Sequence, residues 1–440
     1  MAWDTNTQGT CCNAPEEVQP ALYYDFSTRA LLPIIGPPAA ALVTSRATQT
    51  YRQGRDTRLE IVGPNFPVWE CDKAGNTEGL RIEGRMNTLT PYSNDLTQAS
   101  VYTTNNIQTI VAESTAQDAP DGTYTASRIV EDTSTGTHNV RAGFSATTAV
   151  NYLYSVYLRA GTRTKAELRL SGAAYTTALR MTVTLTGAGT IDTTIGSPLL
   201  SGIEEVGYNG WYRVWIGGPA TATGTLDASL FMLDNTGANS YTGDGSGRLY
   251  AWGWNITSNT GDTPVLTSPV FAGSATATRE ADFAMVALNT IPAFNIANGG
   301  TVYCEYWLPR GFTGSAAAYE FHRNDGTNDN CISHYHSDTL HQPTIRVGAA
   351  QTVTNTPAHA GAGVFVRTAR VFSAASSRLT ATGMGTVSAQ TPSSYPTGLT
   401  HLNIGYREST NTHRLNAVVR RFALFSELLS DSDILAMVAP

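Results

Sequence analysis

His334 and His336 stand two residues apart in the run CISHYHS (331–337), so on a strand their imidazoles share one face. With Glu320, His322 or His341 as a third donor, such a pair offers the nitrogen and oxygen ligands of a tetrahedral zinc ion. Spacing fixes no third ligand, and a polar outer sheet face is the plainer reading, so no metal is assigned. Tyr250, Trp252 and Trp254 alternate in RLYAWGWNI (248–256); on one strand face they form a stripe of flat rings able to stack on sugars, although such faces more often point into a core. Trp211 and Trp215 alternate with Tyr212 and Val214, so one of the two sets is expected outside. The residues assigned to carbohydrate contact are Trp215, Trp307, His334 and His336.

Other chemistry-bearing residues give less. Oxygen donors gather at Asn324, Asp325, Asn328, Asp329 and Asn330 and again at Asp234, Asn235 and Asp244. Neither run has EF-hand spacing; both read as solvated turns, and calcium is the one cofactor they leave open. Cys11, Cys12, Cys71, Cys304 and Cys331 include no CxxC pair and are read as reduced thiols, the last two in a core. Glu204 and Glu205 are adjacent, so on a strand they point to opposite faces, which is wrong for joint work on one bond. The chain has no GxSxG, HExxH, P-loop or GxGxxG motif, and no catalytic residue is assigned.

Composition narrows the class. A chain of 440 residues is long enough for roughly three domains. Charged residues make up 14%, against about 25% in an average soluble protein, and there are 40 glycines, which suits β-structure rich in turns. The net charge is −7 with no Lys/Arg block to neutralise phosphates, so nucleic acid is not expected as a partner. No apolar stretch is long enough for a membrane span. The opening MAWDTNTQGT lacks the basic and apolar regions of a cleaved signal, so synthesis in a cytoplasm without a signal peptide is expected.

The elements that must position these residues are strands. Residues 1–90 are broken by Pro33, Pro37, Pro38, Pro64 and Pro67 and read as an irregular N-terminal arm of short strands. Its apolar run, with Leu31, Leu32, Ile34, Ile35, Leu42 and Val43, is interrupted by Gly36 and two prolines, so it is expected to lie along a neighbouring domain or another subunit. Residues 91–280 carry period-two strands at 151–160, 179–185, 211–216, 228–233 and 248–256. Residues 281–440 repeat that grammar at 301–308, 319–322, 331–336, 344–347, 364–372 and 402–406, with Asn324-Asp325-Gly326 as a tight hairpin signal. Only the end looks helical, capped by Ser430 with Asp433 three residues on and Ile434, Leu435 and Val438 as its apolar stripe. The expected fold is all-β, two β-sandwich jelly rolls in tandem after the arm.

Several phrases are familiar together. Ser45-Arg46-Ala47-Thr48-Gln49-Thr50-Tyr51, then Gly79-Leu80-Arg81-Ile82-Glu83-Gly84-Arg85 with Asn87 and Leu89, resembles the opening of many bacteriophage virion proteins. Ala119-Pro120-Asp121-Gly122-Thr123, SVYLRAG (155–161), Asn209-Gly210-Trp211-Tyr212-Arg213-Val214 and Leu249-Tyr250-Ala251-Trp252-Gly253 resemble a carbohydrate-binding-module jelly roll. LNAVVRRFALFSELLSDSDI (415–434) is similar to the last strand and helix of laminin G or concanavalin-type rolls, with Asn416, Val418 and Arg420 where an acidic pair usually stands. The resemblance implies a phage structural protein of tail fibre or adhesin type that meets host-surface glycans without catalysis. Its alternatives are a head fibre or capsid decoration protein, and a glycan hydrolase. Laminarinase-type hydrolases on this roll carry an ExDxxE strand, absent from this chain. By analogy with fibres a homotrimer is expected, docked on other virion proteins through the N-terminal region.

Overall fold

The computed structural model describes residues 18–113, 119–259, 266–307, 315–323, 325, 327–337, 340–352, 365–407 and 414–439. Among them the regular structure is almost wholly antiparallel β, with a single α-helix at the end, and four larger sheets pair into two sandwiches.

The first sandwich is built by the middle of the chain. One layer runs Leu200–Glu205, Trp211–Pro219, Asn151–Ala160, Arg248–Asn259, Ser127–Glu131, Ile107–Ala112; the other runs Thr190–Ile195, Leu179–Thr184, Lys165–Ser171, Gly224–Met232, His138–Ala146, Tyr102–Asn105. Six of the ten pairings in these two layers join strands that are not consecutive in the chain, as in a jelly roll. Period-two alternation sends Leu168, Leu170, Met181, Val183, Val214, Leu230 and Ile256 between the layers, where all are buried.

The second sandwich takes both ends of the chain. Its first layer orders Ser388–Gln390, Ser377–Ala381, Phe365–Phe372, Gly300–Trp307, Ala417–Phe425, Thr77–Ile82, Trp69–Cys71. Leu22–Asp25 also joins it, pairing from Leu22 opposite Leu424 to Asp25 opposite Arg421, while Leu80 to Ile82 pair with Val419 to Ala417. The facing layer orders Val43–Ser45, Phe283–Ala287, His401–Ile404, Ser315–His322, Cys331–Ser337, His341–Val347, Ala350–Gln351. Ser315–His322 and Cys331–Ser337 pair as expected of a hairpin, but through residues 323–330 rather than a two-residue turn; Asn324 and Gly326 lie outside the described residues. The closing helix, Asp431–Val438, has the expected capping box: Ser430 Oγ accepts from Asp433 N (3.2 Å) and Ser430 N donates to the Asp433 carboxylate (3.1 Å).

The N-terminal stretch is irregular, yet its strands are used inside the molecule. Leu42 is buried, Leu31 packs on the same core, and Ile34 and Ile35 pack on the cluster beneath the C-terminal helix. Backbone bonds hold the run there: Tyr23 N to Ile35 O (2.9 Å), Ile34 N to Tyr23 O (2.7 Å) and Leu42 N to Leu31 O (2.9 Å). Of the six residues expected at a subunit or virion contact, only Leu32 (56% exposed) and Val43 (62%) face solvent strongly.

Candidate functional site

The concavity richest in chemistry lies where the N-terminal stretch passes between the two sandwiches, and its walls begin with a β-bulge. Asn151–Ala160 pairs with Arg248–Asn259, but the register slips between Ser155 and Tyr157, opposite Gly253 at φ +67°. A Cβ at Gly253 would stand 2.8 Å from the Phe271 ring, so both the backbone angle and the space favour glycine. The slip divides the aromatic stripe read from the sequence. Trp254 turns into the inner core against Tyr154, whereas Trp252 and Tyr250 stay on the outer face with Trp211 and Tyr157. That outer face is not open, because Tyr51, Leu59, Ala119 and Phe271 cover it. Trp215, on the same face, is also covered: it is 7% exposed among Leu153, Leu200 and Leu266, and a Cβ on Gly202 would come within 2.1 Å of its ring. Neither alternating set of Trp211–Pro219 is therefore exposed, and Trp215 cannot stack on a sugar without displacing its cover.

A buried ionic network fixes the junction. Arg46 meets Asp282 (2.8 Å), Arg279 meets Glu83 (3.2 Å) and Asp282 (3.5 Å), and Arg81 reaches both Glu70 and Glu83. Glu83 also accepts from Ser268 N (2.7 Å) and Ser268 Oγ (2.6 Å), which ties the N-terminal stretch to the segment connecting the sandwiches. Burial alone would raise the Glu83 carboxyl, but Arg279, Arg81 and the Ser268 bonds bring it down to about 2.

Beside this network opens a cavity of about 320 Å³, at the lower end of the range for small-molecule sites. Tyr51, Glu70, Glu78 and Arg81 come to it from the N-terminal stretch, Glu204, Glu205 and Arg213 from the first sandwich, Trp307 and Asn416 from the second. Glu70 stands opposite Gly79, and a register shift before Cys71 opposite Thr77 leaves Glu78 in a bulge, a device that re-aims a side chain. Burial, then the neighbouring Glu70 charge, pushes the Glu78 carboxyl up to about 7, with Arg420 working against both. Burial likewise raises Glu70, against the pull of Arg81. One carboxyl is thus held near neutrality close to a second, while Glu83 stays ionised. Lys73 meets Glu205 (3.5 Å), and the Arg213 guanidinium donates to Thr267 O (2.7 Å). The aromatic residues Trp307 and Tyr51 thus line the cavity together with directional donors and acceptors.

Of the four residues assigned to carbohydrate contact, only Trp307 lines this cavity. His334 and His336, expected on a polar outer face, are fully buried between the layers of the second sandwich. Their face is the one that carries Ile332 in the core cluster, so the parity that pairs them also turns them inward. His334 Nε2 lies 3.1 Å from His341 Nδ1, and the Tyr306 hydroxyl lies 3.0 Å from His336 Nδ1. No group of three His, Cys, Asp or Glu side chains among the described residues is disposed to hold a metal ion. The Asp234, Asp244 and Asp325 carboxylates accept from backbone N–H groups of their own turns, as Asx turns do. Cys304 and Cys331 are buried, while Cys11 and Cys12 lie outside the described residues. Sequence reasoning misses Glu70 and Glu78; a signal exists, since TEGLRIEG (77–84) places charges inside an apolar strand too short to expose them all.

No family model matches the chain, and no curated protein matches it. Among solved structures, the CBM40 of the Ruminococcus gnavus IT-sialidase, seen bound to α2,3-sialyllactose, is 16% identical over 32% of this chain and 84% of its own, with a TM-score of 0.29. The NanB sialidase of Streptococcus pneumoniae is 14% identical over 36% of this chain and 26% of its own (TM-score 0.29). Domains LG4-5 of the mouse laminin α1 chain are 11% identical over 78% of this chain and 88% of theirs (TM-score 0.23). These are distant likenesses of β-sandwich architecture, and they carry no statement about what this chain binds.

Proposed function

We propose that this chain is a bacteriophage virion structural protein of tail fibre or adhesin type, whose inter-sandwich cleft binds a host-surface glycan without catalysis. The observation that carries the glycan reading is the cleft itself: the aromatic residues Trp307 and Tyr51 line it beside Glu70, Glu78 and Arg213, the mixture of ring and polar groups by which proteins hold sugars. The phage assignment rests on the sequence phrases around Arg46, Arg81 and Glu83. Localisation on the intact particle by cryo-electron microscopy, with a glycan array on the purified chain, tests both. Density or label at the tail tip and glycan binding lost in Trp307→Ala support the reading; label over the head, with no glycan bound, makes this a decoration protein.

A second reading has one observation in its favour. A carboxyl held near pH 7 beside another carboxyl is the arrangement a glycosidase uses for acid catalysis. Release of reducing sugar from a bound glycan, abolished in Glu78→Gln, would replace the adhesin by a hydrolase.

A further inference from the structure

Three imidazoles meet inside the second sandwich, and the fixed charge that bears on them is positive. His334 and His336 share the inward face of Cys331–Ser337, and His341 stands directly opposite His336 on the next strand. All three are fully buried, with ring centroids 4.9 Å (His336 to His341) and 5.1 Å (His334 to His341) apart. The groups facing them from the packed elements are Tyr319 on Ser315–His322, Tyr306 with Cys304 on Gly300–Trp307, and Arg370 on Phe365–Phe372. Burial raises both hydroxyls and the thiol, so these stay neutral and Arg370 alone is charged. Its guanidinium, itself buried, crosses between the layers and donates to Ser333 O and Thr344 O, which holds the backbones of the two histidine strands.

The arrangement tolerates little added charge. His334 Nε2 and His341 Nδ1 lie 3.1 Å apart, a hydrogen bond in which one nitrogen donates and the other must accept. One added proton leaves that bond possible; a second makes donors of both atoms, beside a guanidinium that cannot give up its own charge. The strands concerned lie at a margin: beyond His341–Val347 their layer continues only with the two residues Ala350–Gln351. Detaching them breaks a single ladder, the one between Ser315–His322 and Cys331–Ser337. The rest of the molecule is built differently. His138, buried in the first sandwich, has carbonyl oxygens at both ring nitrogens, Asn106 O (2.7 Å) and Tyr241 O (3.3 Å), with Asp132 at 4.0 Å, so a positive ring there meets acceptors. At the junction Glu83, brought down to about 2, keeps its charge and its arginines in mild acid.

We propose that His334, His336 and His341 form an acid-sensitive latch, whose protonation releases Cys331–Ser337 and His341–Val347 from the facing layer while the first sandwich and the junction stay folded. Opened rings take protons that closed ones refuse, so release sets in below pH 6.5, the ordinary value of an exposed imidazole. It uncovers Ile332, Ile345 and Phe321 from the core, and it does not depend on what the inter-sandwich cleft binds.

The test is amide hydrogen exchange of the full chain at pH 7.5, 6 and 5, read by mass spectrometry and corrected for the intrinsic pH dependence of exchange. Expected is a loss of protection in Cys331–Ser337 and His341–Val347 of about tenfold per pH unit for each proton taken up, or about thirtyfold by pH 5 for one proton and more for two. Protection in Lys165–Ser171 and Gly224–Met232 should hold, and that of the histidine strands should return on neutralisation. In the double variant His334→Gln, His341→Gln the loss should shrink by about tenfold or more. Protection unchanged at pH 5, an equal loss in the first sandwich, or an undiminished loss in the folded double variant would each overturn the latch. If the double variant does not fold, the wild-type exchange at the three pH values decides alone.

Discussion

The buried His334 makes the stability of the second sandwich depend on pH in a calculable direction. Burial, then the positive neighbours His341, Arg370 and His336, hold its pKa well below 6.5. The groups packed against it are His341 on the adjacent strand, His336 on its own, Arg370 and Tyr319, the last neutral because burial raises its hydroxyl to about 12. The folded chain therefore holds this imidazole neutral where an unfolded one takes a proton. His334 contributes its full share above pH 6.5, and the share falls as pH drops, by about 1.4 kcal/mol per pH unit, or about 2 kcal/mol by pH 5. Glu78 runs the other way: its raised pKa makes its contribution complete below pH 4.5 and lost as pH rises through about 7. The wild-type profile mixes the two slopes, so the informative quantity is the difference between wild type and His334→Gln. Urea denaturation at pH 7.5 and pH 5 should show the penalty of His334→Gln shrinking by about 2 kcal/mol at the lower pH. A penalty equal at both pH values refutes the argument. If the variant does not fold, the imidazole resonances of the wild type decide: a His334 ring that titrates near 6.5 refutes it equally.

Three further outcomes follow from named contacts. Glu83→Gln strips the shared acid from Arg81, Arg279 and Ser268, and should cost about 3–5 kcal/mol and open the connecting segment near Ser268 to proteases, read by denaturation and limited proteolysis. Gly202→Ala drives a methyl into the Trp215 ring, so about 1–3 kcal/mol should be lost together with a change in tryptophan emission. Burial pushes the Cys331 thiol up to about 12 and raises Cys304 as well; neither should be alkylated by iodoacetamide in the native protein, and both should be after unfolding, by mass spectrometry.

How much of this was legible in the sequence depended on the range of the interactions involved. The strands Asn151–Ala160 and Leu179–Thr184, and the capped helix after Ser430, announce themselves because alternation and capping are local. Faces were harder. Alternation put Trp252 and Trp254 together, but one glycine at positive φ shifts the register and sends them to opposite sides. The same alternation paired His334 with His336 correctly and could not say which way they faced, since that depends on a partner sheet built partly from residues 22–25, 69–71 and 77–82. Trp307 reached the cavity, yet the carboxylates beside it come from strands about one hundred (Glu204, Glu205) to more than two hundred (Glu70, Glu78) residues away in sequence, and no window of sequence joins them.

Long-range packing also accounts for the residue types in the N-terminal phrases. Arg46, Tyr51, Arg81 and Glu83 carry the resemblance to virion proteins, and they are also the residues that close the junction between the sandwiches. A buried arginine needs its acid at a fixed distance, so such a junction demands particular residue types where a docking surface tolerates exchange. The phrases therefore describe how the stretch holds two β-sandwiches together, and under the proposed virion role contact with another protein would fall to its exposed apolar residues, Leu32, Val43, Ile61 and Phe66. Substituting polar residues at those four positions should leave the fold intact while removing any attachment to the particle, read by the unfolding midpoint and by the amount of the chain retained on purified particles. Substituting within the phrases should unfold the junction before attachment can be measured.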